Sequence, residues 1–305
     1  MAANSRALPD LSIEDAIIDF ARDLRVDKSP KTIETYTESA RLYSKYAISS
    51  ADIYTLGAIS THSIRGWLTE LRDTGRSHGT IANRYSGLRA FLRWAVDEQL
   101  IAESPIKAIP QPDPKPPPVP VLSLDQLALL LGTCDGSFEG VRDTALLRLL
   151  IDTGMRRAEC AGLKPGDIDL DQDVAVVMGK GERIRGCPFG TRTAKSIRRY
   201  LRIRAGHEYA QSPQLWLGRR GPIKPDAILH IIRRRSRQAG IVSRVFVHQL
   251  RHTWAAAALS SGMNESDVQR LGGWRNRDML MRYGASNAEE RARKAYREHS
   301  LGDRL

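Results

Sequence analysis

Seven prolines crowd into eleven residues of "KAIPQPDPKPPPVPVL", positions 107–122. Proline has no amide proton and fixes its own φ, so neither a helix interior nor a central strand can cross this stretch. Such a run favours extended polyproline II and acts as a semi-rigid spacer. The chain must therefore fold as two parts. With 305 residues it is also long enough for two cores. The expected division is a domain over 1–107, a linker over 108–121 and a second domain over 122–305.

The first part reads as helices. "LSIEDAIIDFARDLR" opens on Ser12 as an N-cap and spaces its apolar residues as a helix does. "KTIETYTESARLYSKYAI" and "THSIRGWLTELRDTG" repeat the pattern. A fourth segment, "SHGTIANRYSGLRAFLRWAVDEQL", lines up Leu88, Phe91, Leu92 and Ala95 on one stripe. Its other face carries Arg84, Arg89 and Arg93, which are either a solvated face or phosphate contacts. The second part is mostly helical with one strand signal. "SLDQLALLLG" has capping-box spacing from Ser123 to Gln126. "VRDTALLRLLIDTG" is apolar and closes on Gly154. "VAVVMGKGERIRGCPFG", 174–190, predicts two strands around a Gly-Lys-Gly turn. Further helices are expected in "PDAILHIIRRRSRQAG", "VHQLRHTWAAAALSSG" and the segments that end the chain. The fold class expected is mainly α with a small antiparallel sheet.

Charge narrows the partner. Lys and Arg number 47 against 35 acids, a net +12. The excess is concentrated, with eighteen basic residues against three acids over 180–251. Packing so much like charge together opposes compaction, which points to a polyanionic partner, nucleic acid first. Three cysteines without a CxxC make no disulfide framework. With no signal-peptide pattern and no apolar run of membrane-spanning length, the expected location is the cytoplasm.

"HQLRHTW", 248–254, puts His248, Arg251 and His252 on one helical face. Two histidines four apart can bind zinc. A zinc protease would carry a glutamate where Gln249 stands, a third ligand is not evident, and Arg251 would repel a dication. A phosphate fits better, since a guanidinium presents a planar fork to its oxygens. Arg251 sits in an otherwise apolar helix and needs an anionic partner there. A second such arginine is Arg156 in "DTGMRRAECAGLKPGDIDL", with Glu159 three residues on, either as its ion-pair partner or as a support for the site. Met155, Cys160 and Leu163 predict a short buried helix around them.

"TGMRRAECAGLKPGDID", "GKGERIRGCPFG", "HQLRHTWA" and "LGGWRNRDMLMRYGAS" occur in this order. Together they resemble the tyrosine recombinase, or phage integrase, family over nearly all of the second part. The helical first part resembles that family's core-type, SAM-like DNA-binding domain. The resemblance implies catalytic roles for Arg156, Lys180, His248 and Arg251, with Tyr283 as nucleophile. At the position nine before the tyrosine the family often has histidine; here it is Trp274, which can pack and donate one N–H. His252 falls outside that set and is expected to support it. Tyr296 is the rival tyrosine, but the 32-residue interval from Arg251 suits Tyr283.

The implied chemistry is cutting and rejoining of double-stranded DNA through a 3′-phosphotyrosyl link, without cofactor, metal or ATP. The expected role is a phage or mobile-element integrase; the alternative is a resolvase of chromosome or plasmid dimers. A catalytically silent DNA binder and a type IB topoisomerase are competing classes, the first disfavoured because a binder needs no nucleophile. The partner expected is duplex DNA, with a homotetramer on DNA and a monomer or weak oligomer when free. The last stretch, "NAEERARKAYREHSLGDRL", is expected to pack on its own domain or on a neighbouring protomer. The short segment before the first helix leaves little room for a separate arm-type DNA-binding domain.

Overall fold

Serine caps the first six α-helices of the chain. In the computed structural model these are α1 (Ile13–Asp23), α2 (Pro30–Ala51), α3 (Thr61–Asp73), α4 (His78–Asp97), α5 (Leu124–Gly132) and α6 (Phe138–Thr153). Ser12, Ser29, Ser60, Ser77, Ser123 and Ser137 each accept a backbone N–H from the first turn. Each such cap is worth about 1 kcal/mol. The structure describes residues 11–113, 120–179, 184–241, 245–276 and 280, with positions 293, 296, 297, 300 and 302–304. The chain divides into two compact units, residues 1–117 and 118–305.

Among its described residues the first unit is all helical apart from an isolated bridge between Ser12 and Thr55. Helices α2 and α4 form its main pair, and α1 and α3 close the core around them. Leu88, Phe91, Leu92 and Ala95 of α4 are fully buried, as their stripe predicts. Phe20 of α1 packs against Phe91 and Trp94 with ring centroids 5.4 Å away. The core continues past α4 through Ile106 and Ile109. Tyr85 donates its hydroxyl to the Ile109 carbonyl at 2.7 Å. Packing of this unit thus enters the expected linker, because an isoleucine before the first proline can still bury its side chain.

The second unit is built on α6, apolar on nearly every side and packed against two further helices. These are α8 (Thr191–Arg204) and α10 (Val247–Ser260). Helix α8 was not anticipated from the sequence. Its high charge hides a buried row of Thr193, Ala194, Ile197 and Tyr200. Between α6 and α8 lie α7 (Arg157–Gly162) and a three-stranded antiparallel sheet, β1 (Ile168–Asp169), β2 (Val174–Met178) and β3 (Ile184–Pro188), in that order. Val176 stands opposite Gly186 and Met178 opposite Ile184. A small hairpin, β4 (Leu217–Gly218) with β5 (Gly221–Pro222), precedes α9 (Pro225–Gln238). Asp143 of α6 is fully buried and accepts hydrogen bonds from Arg142, Arg234 and Arg235, which fastens α9 to α6. Helix α11 (Glu265–Gly272) follows α10. Cys160 and Cys187 are buried in the core, and Cys134 packs against it. Among the described residues, no helix is long and apolar enough to cross a membrane.

Candidate active site

Gly154 ends α6 and sets the geometry of everything after it. Its φ is +55°, a left-handed conformation that glycine adopts at little cost. A Cβ there would also sit 2.5 Å from the Trp254 ring. The turn delivers Arg156 to the start of α7, where its backbone N–H donates to Glu159 Oε2 at 2.7 Å. The Arg156 Nη1 donates to Glu159 Oε1 at 2.8 Å, and its Nη2 to the Gly273 carbonyl at 3.0 Å. The side chain keeps 39% of its surface exposed. Both sequence readings of Glu159 therefore coexist: it pairs with Arg156 and also orients it.

Glu159 itself is 5% exposed. Burial would push its carboxyl up. The fork of Arg185, then the backbone and side chain of Arg156, outweigh that and hold it down at about 2. Arg185 on β3 makes a two-pronged contact with the carboxylate, at 2.9 and 2.8 Å, and donates its Nε to the Leu271 carbonyl at 2.9 Å. The sequence reading did not name Arg185. The available signal was its place two residues before buried Cys187, on the same face of a strand.

Helix α10 supplies the other half. His248 lies in its first turn and Arg251 one turn on. Arg251 is 2% exposed. Its Nη1 donates to the Gly154 carbonyl at 2.7 Å and its Nη2 to the Gly272 carbonyl. The guanidinium carbon stands 4.2 Å from the centre of the Trp274 ring, a cation–π contact. Trp274 stacks in turn on Trp254, with centroids 5.9 Å apart. Arg156, Arg157, His248 and Arg251 line one cleft of about 250 Å³ with Met155, Leu229, Phe246 and Val247. The structure thus brings together Arg156, His248, Arg251, Glu159 and Trp274. Lys180, between β2 and β3, and Tyr283 lie outside the described residues, as does most of the final stretch. Tyr296 is described and exposed.

The His248 and His252 rings meet edge to face, 4.7 Å between centroids. Among the described residues, no group of three His, Cys, Asp or Glu side chains could hold a metal ion. Burial, then Arg251 and Arg156, push the His248 imidazole below its ordinary value, which favours its neutral form. Burial, His248 and Arg251 push His252 down to about 4. A histidine held neutral in the fold contributes stability above its unfolded value near 6.5, lost as pH falls toward 4. His252→Gln should accordingly flatten the fall in melting temperature between pH 6.5 and 4. An unchanged slope would remove His252 as its source.

On the first unit, Arg84 pairs with Glu38 at 2.9 Å, and Arg89 donates to Gln111 at 2.9 Å. Arg93 is largely exposed and stands 3.8 Å from Asp97.

Residues 120–290 match the model of the phage integrase family, and residues 17–99 match the N-terminal SAM-like domain of phage integrases. The chain belongs to the phage integrase family. These tyrosine recombinases are enzymes that cleave and rejoin DNA through a tyrosine. A relative named tyrosine recombinase XerC, from Bacillus pumilus, is 30% identical over 289 residues, covering 92% of this chain and 94% of its own. Solved structures carry the same fold. The Tn1549 transposon integrase in complex with transposon right end DNA superposes with a TM-score of 0.77 at 18% identity, covering 94% of this chain and 99% of that one. The site-specific recombinase XerH, bound to a palindromic difH substrate, gives 0.74 at 17% identity, covering 94% and 84%.

Proposed function

We propose that this chain is a site-specific recombinase in which Arg156 and Arg251 grip the scissile phosphate of duplex DNA. The observation that carries the reading is one small cleft lined by Arg156 from the start of α7 and by His248 and Arg251 from α10. A phosphodiester repels nucleophiles by its charge. Two guanidiniums neutralise the non-bridging oxygens and stabilise the added charge of the pentacoordinate transition state. The Tyr283 oxygen attacks phosphorus, the bond to the 5′-oxygen breaks, and a 3′-phosphotyrosyl link forms. A free phenol titrates near pH 10, so cations and a base must assist; His248 takes that proton. Lys180 gives a proton to the leaving 5′-oxygen. The covalent link conserves the bond energy, and a 5′-hydroxyl from a partner strand reverses the step.

The DNA-bound complexes of the transposon integrase and XerH support duplex DNA as partner. A tetramer on DNA, from a monomer or weak oligomer in solution, is part of the same reading. On the first unit, Arg89 and Arg93 are exposed and Arg84 is not, so the first two are the more open toward a phosphate. Integration of a mobile element and resolution of chromosome or plasmid dimers use the same chemistry. A run of relatives named XerC, matched over nearly the whole of both chains, favours the second role.

The test is a nicked target duplex, which traps the covalent complex because the short 5′-end diffuses away. An SDS-resistant protein–DNA adduct should form at full rate in EDTA. An adduct lost in EDTA and restored by zinc would overturn the roles given to His248 and Arg251.

A further inference from the structure

Three arginines take three consecutive carbonyls. Arg185 Nε donates to Leu271, Arg251 Nη2 to Gly272, and Arg156 Nη2 to Gly273. These oxygens close α11, where a helix leaves its last carbonyls without internal partners and carries partial negative charge. The turn is tight. A Cβ on Gly272 would stand 2.0 Å from the Trp274 ring, and Gly273 has φ +64° with the Arg185 guanidinium 3.2 Å from its missing Cβ.

The three arginines are not equivalent. Arg156 and Arg251 line the cleft; Arg185 does not. Arg185 is 11% exposed and commits all three nitrogens inward, one to Leu271 and two to Glu159. Glu159 in turn holds Arg156 by its backbone and side chain. Arg185 therefore joins the strand that follows Lys180, the start of α7, and a turn ten residues before Tyr283 in the chain.

We propose that Arg185 is a positioning residue for DNA cleavage, fixing Arg156 through Glu159 and registering the turn that leads to Tyr283. The proposal rests on the phosphate-gripping role given above to Arg156. A guanidinium is suited to the task because its rigid fork meets both carboxylate oxygens while Nε reaches a carbonyl on the other side. Loss of the fork frees the Glu159 carboxylate to rotate and lets Arg156 follow it. A misplacement of about 1 Å at a reacting centre costs on the order of 100-fold in rate.

The experiment compares single-turnover cleavage by wild type, Arg185→Ala, Arg185→Lys and Arg156→Ala. Two nicked duplexes are used, one with a normal scissile phosphate and one with an uncharged methylphosphonate there. Replacing a non-bridging oxygen by methyl removes the charge that Arg156 neutralises. Arg185→Ala should cleave the phosphodiester on the order of 100-fold more slowly than wild type. Its defect on the methylphosphonate should be at least tenfold smaller, as for Arg156→Ala, while gel-shift affinity stays within about twofold. Arg185→Lys should recover part of the phosphodiester rate. The ratio of the two substrates is internal to one preparation, so a reduced folded fraction cancels. Equal defects on both substrates, or no defect, would overturn the proposal. Failure of wild type to cleave either duplex would instead strike the recombinase reading.

Discussion

Arg251→Ala should cleave a nicked duplex about 10³-fold more slowly than wild type and melt at a lower temperature. The two losses have separate causes. In the chemistry proposed above, the variant would lack a preorganised cation at the charge that builds on phosphorus, and removing one such donor costs on the order of 10²–10³. A buried arginine acts in a site of low dielectric, which places the expected loss at the upper end of that range. In stability, Arg251 bridges the Gly154 and Gly272 carbonyls beneath the Trp274 ring. Each carbonyl left without its donor costs roughly 1–3 kcal/mol. Arg251→Lys keeps the charge but offers one ammonium in place of a fork, so it cannot bridge both turns. It should melt between the other two and still cleave poorly. Single-turnover cleavage and a thermal melt check both; a wild-type cleavage rate in Arg251→Ala would remove this residue from the chemistry.

Tyr283→Phe should form no covalent adduct at all, while binding DNA and melting as wild type. The substitution deletes one oxygen. Of the groups assigned, it removes only the nucleophile and leaves the arginines, His248 and their carbonyl partners in place. Tyr296→Phe is the matching control, since Tyr296 is exposed and free of any assigned chemistry. It should give adduct at the wild-type rate. Adduct formation by Tyr283→Phe, or its loss in Tyr296→Phe alone, would move the nucleophile.

Much of the fold was legible because local and global signals agree. The two caps read from the sequence, Ser12 and Ser123, do open α1 and α5, and the α4 stripe is buried as its spacing requires. Helix α8 escaped because its basic residues dominate the pattern while a narrow row is buried. Within the site, Arg156, His248 and Arg251 were readable from motifs in order, and they share a cleft. Glu159 beside Arg156 was readable too, but the rest of the inner frame was not. Arg185 is one arginine among many in a basic stretch, and its partners include a backbone carbonyl, which has no side-chain signature. The convergence of Leu271, Gly272 and Gly273 on three arginines depends on where α11 ends, and that is a tertiary fact. Integration and dimer resolution could not be separated either, because both run through the same cleavage and rejoining.

Tyr283 is the residue expected to become bonded to DNA. The adduct from the nicked duplex can be digested with trypsin, and the DNA-linked peptide purified and sequenced by mass spectrometry. Cleavage after Arg282 and Arg291 predicts the peptide YGASNAEER, residues 283–291, carrying a nucleotide on its tyrosine. A DNA-linked peptide containing Tyr296, or any tyrosine other than Tyr283, would show that Tyr283 is not the nucleophile.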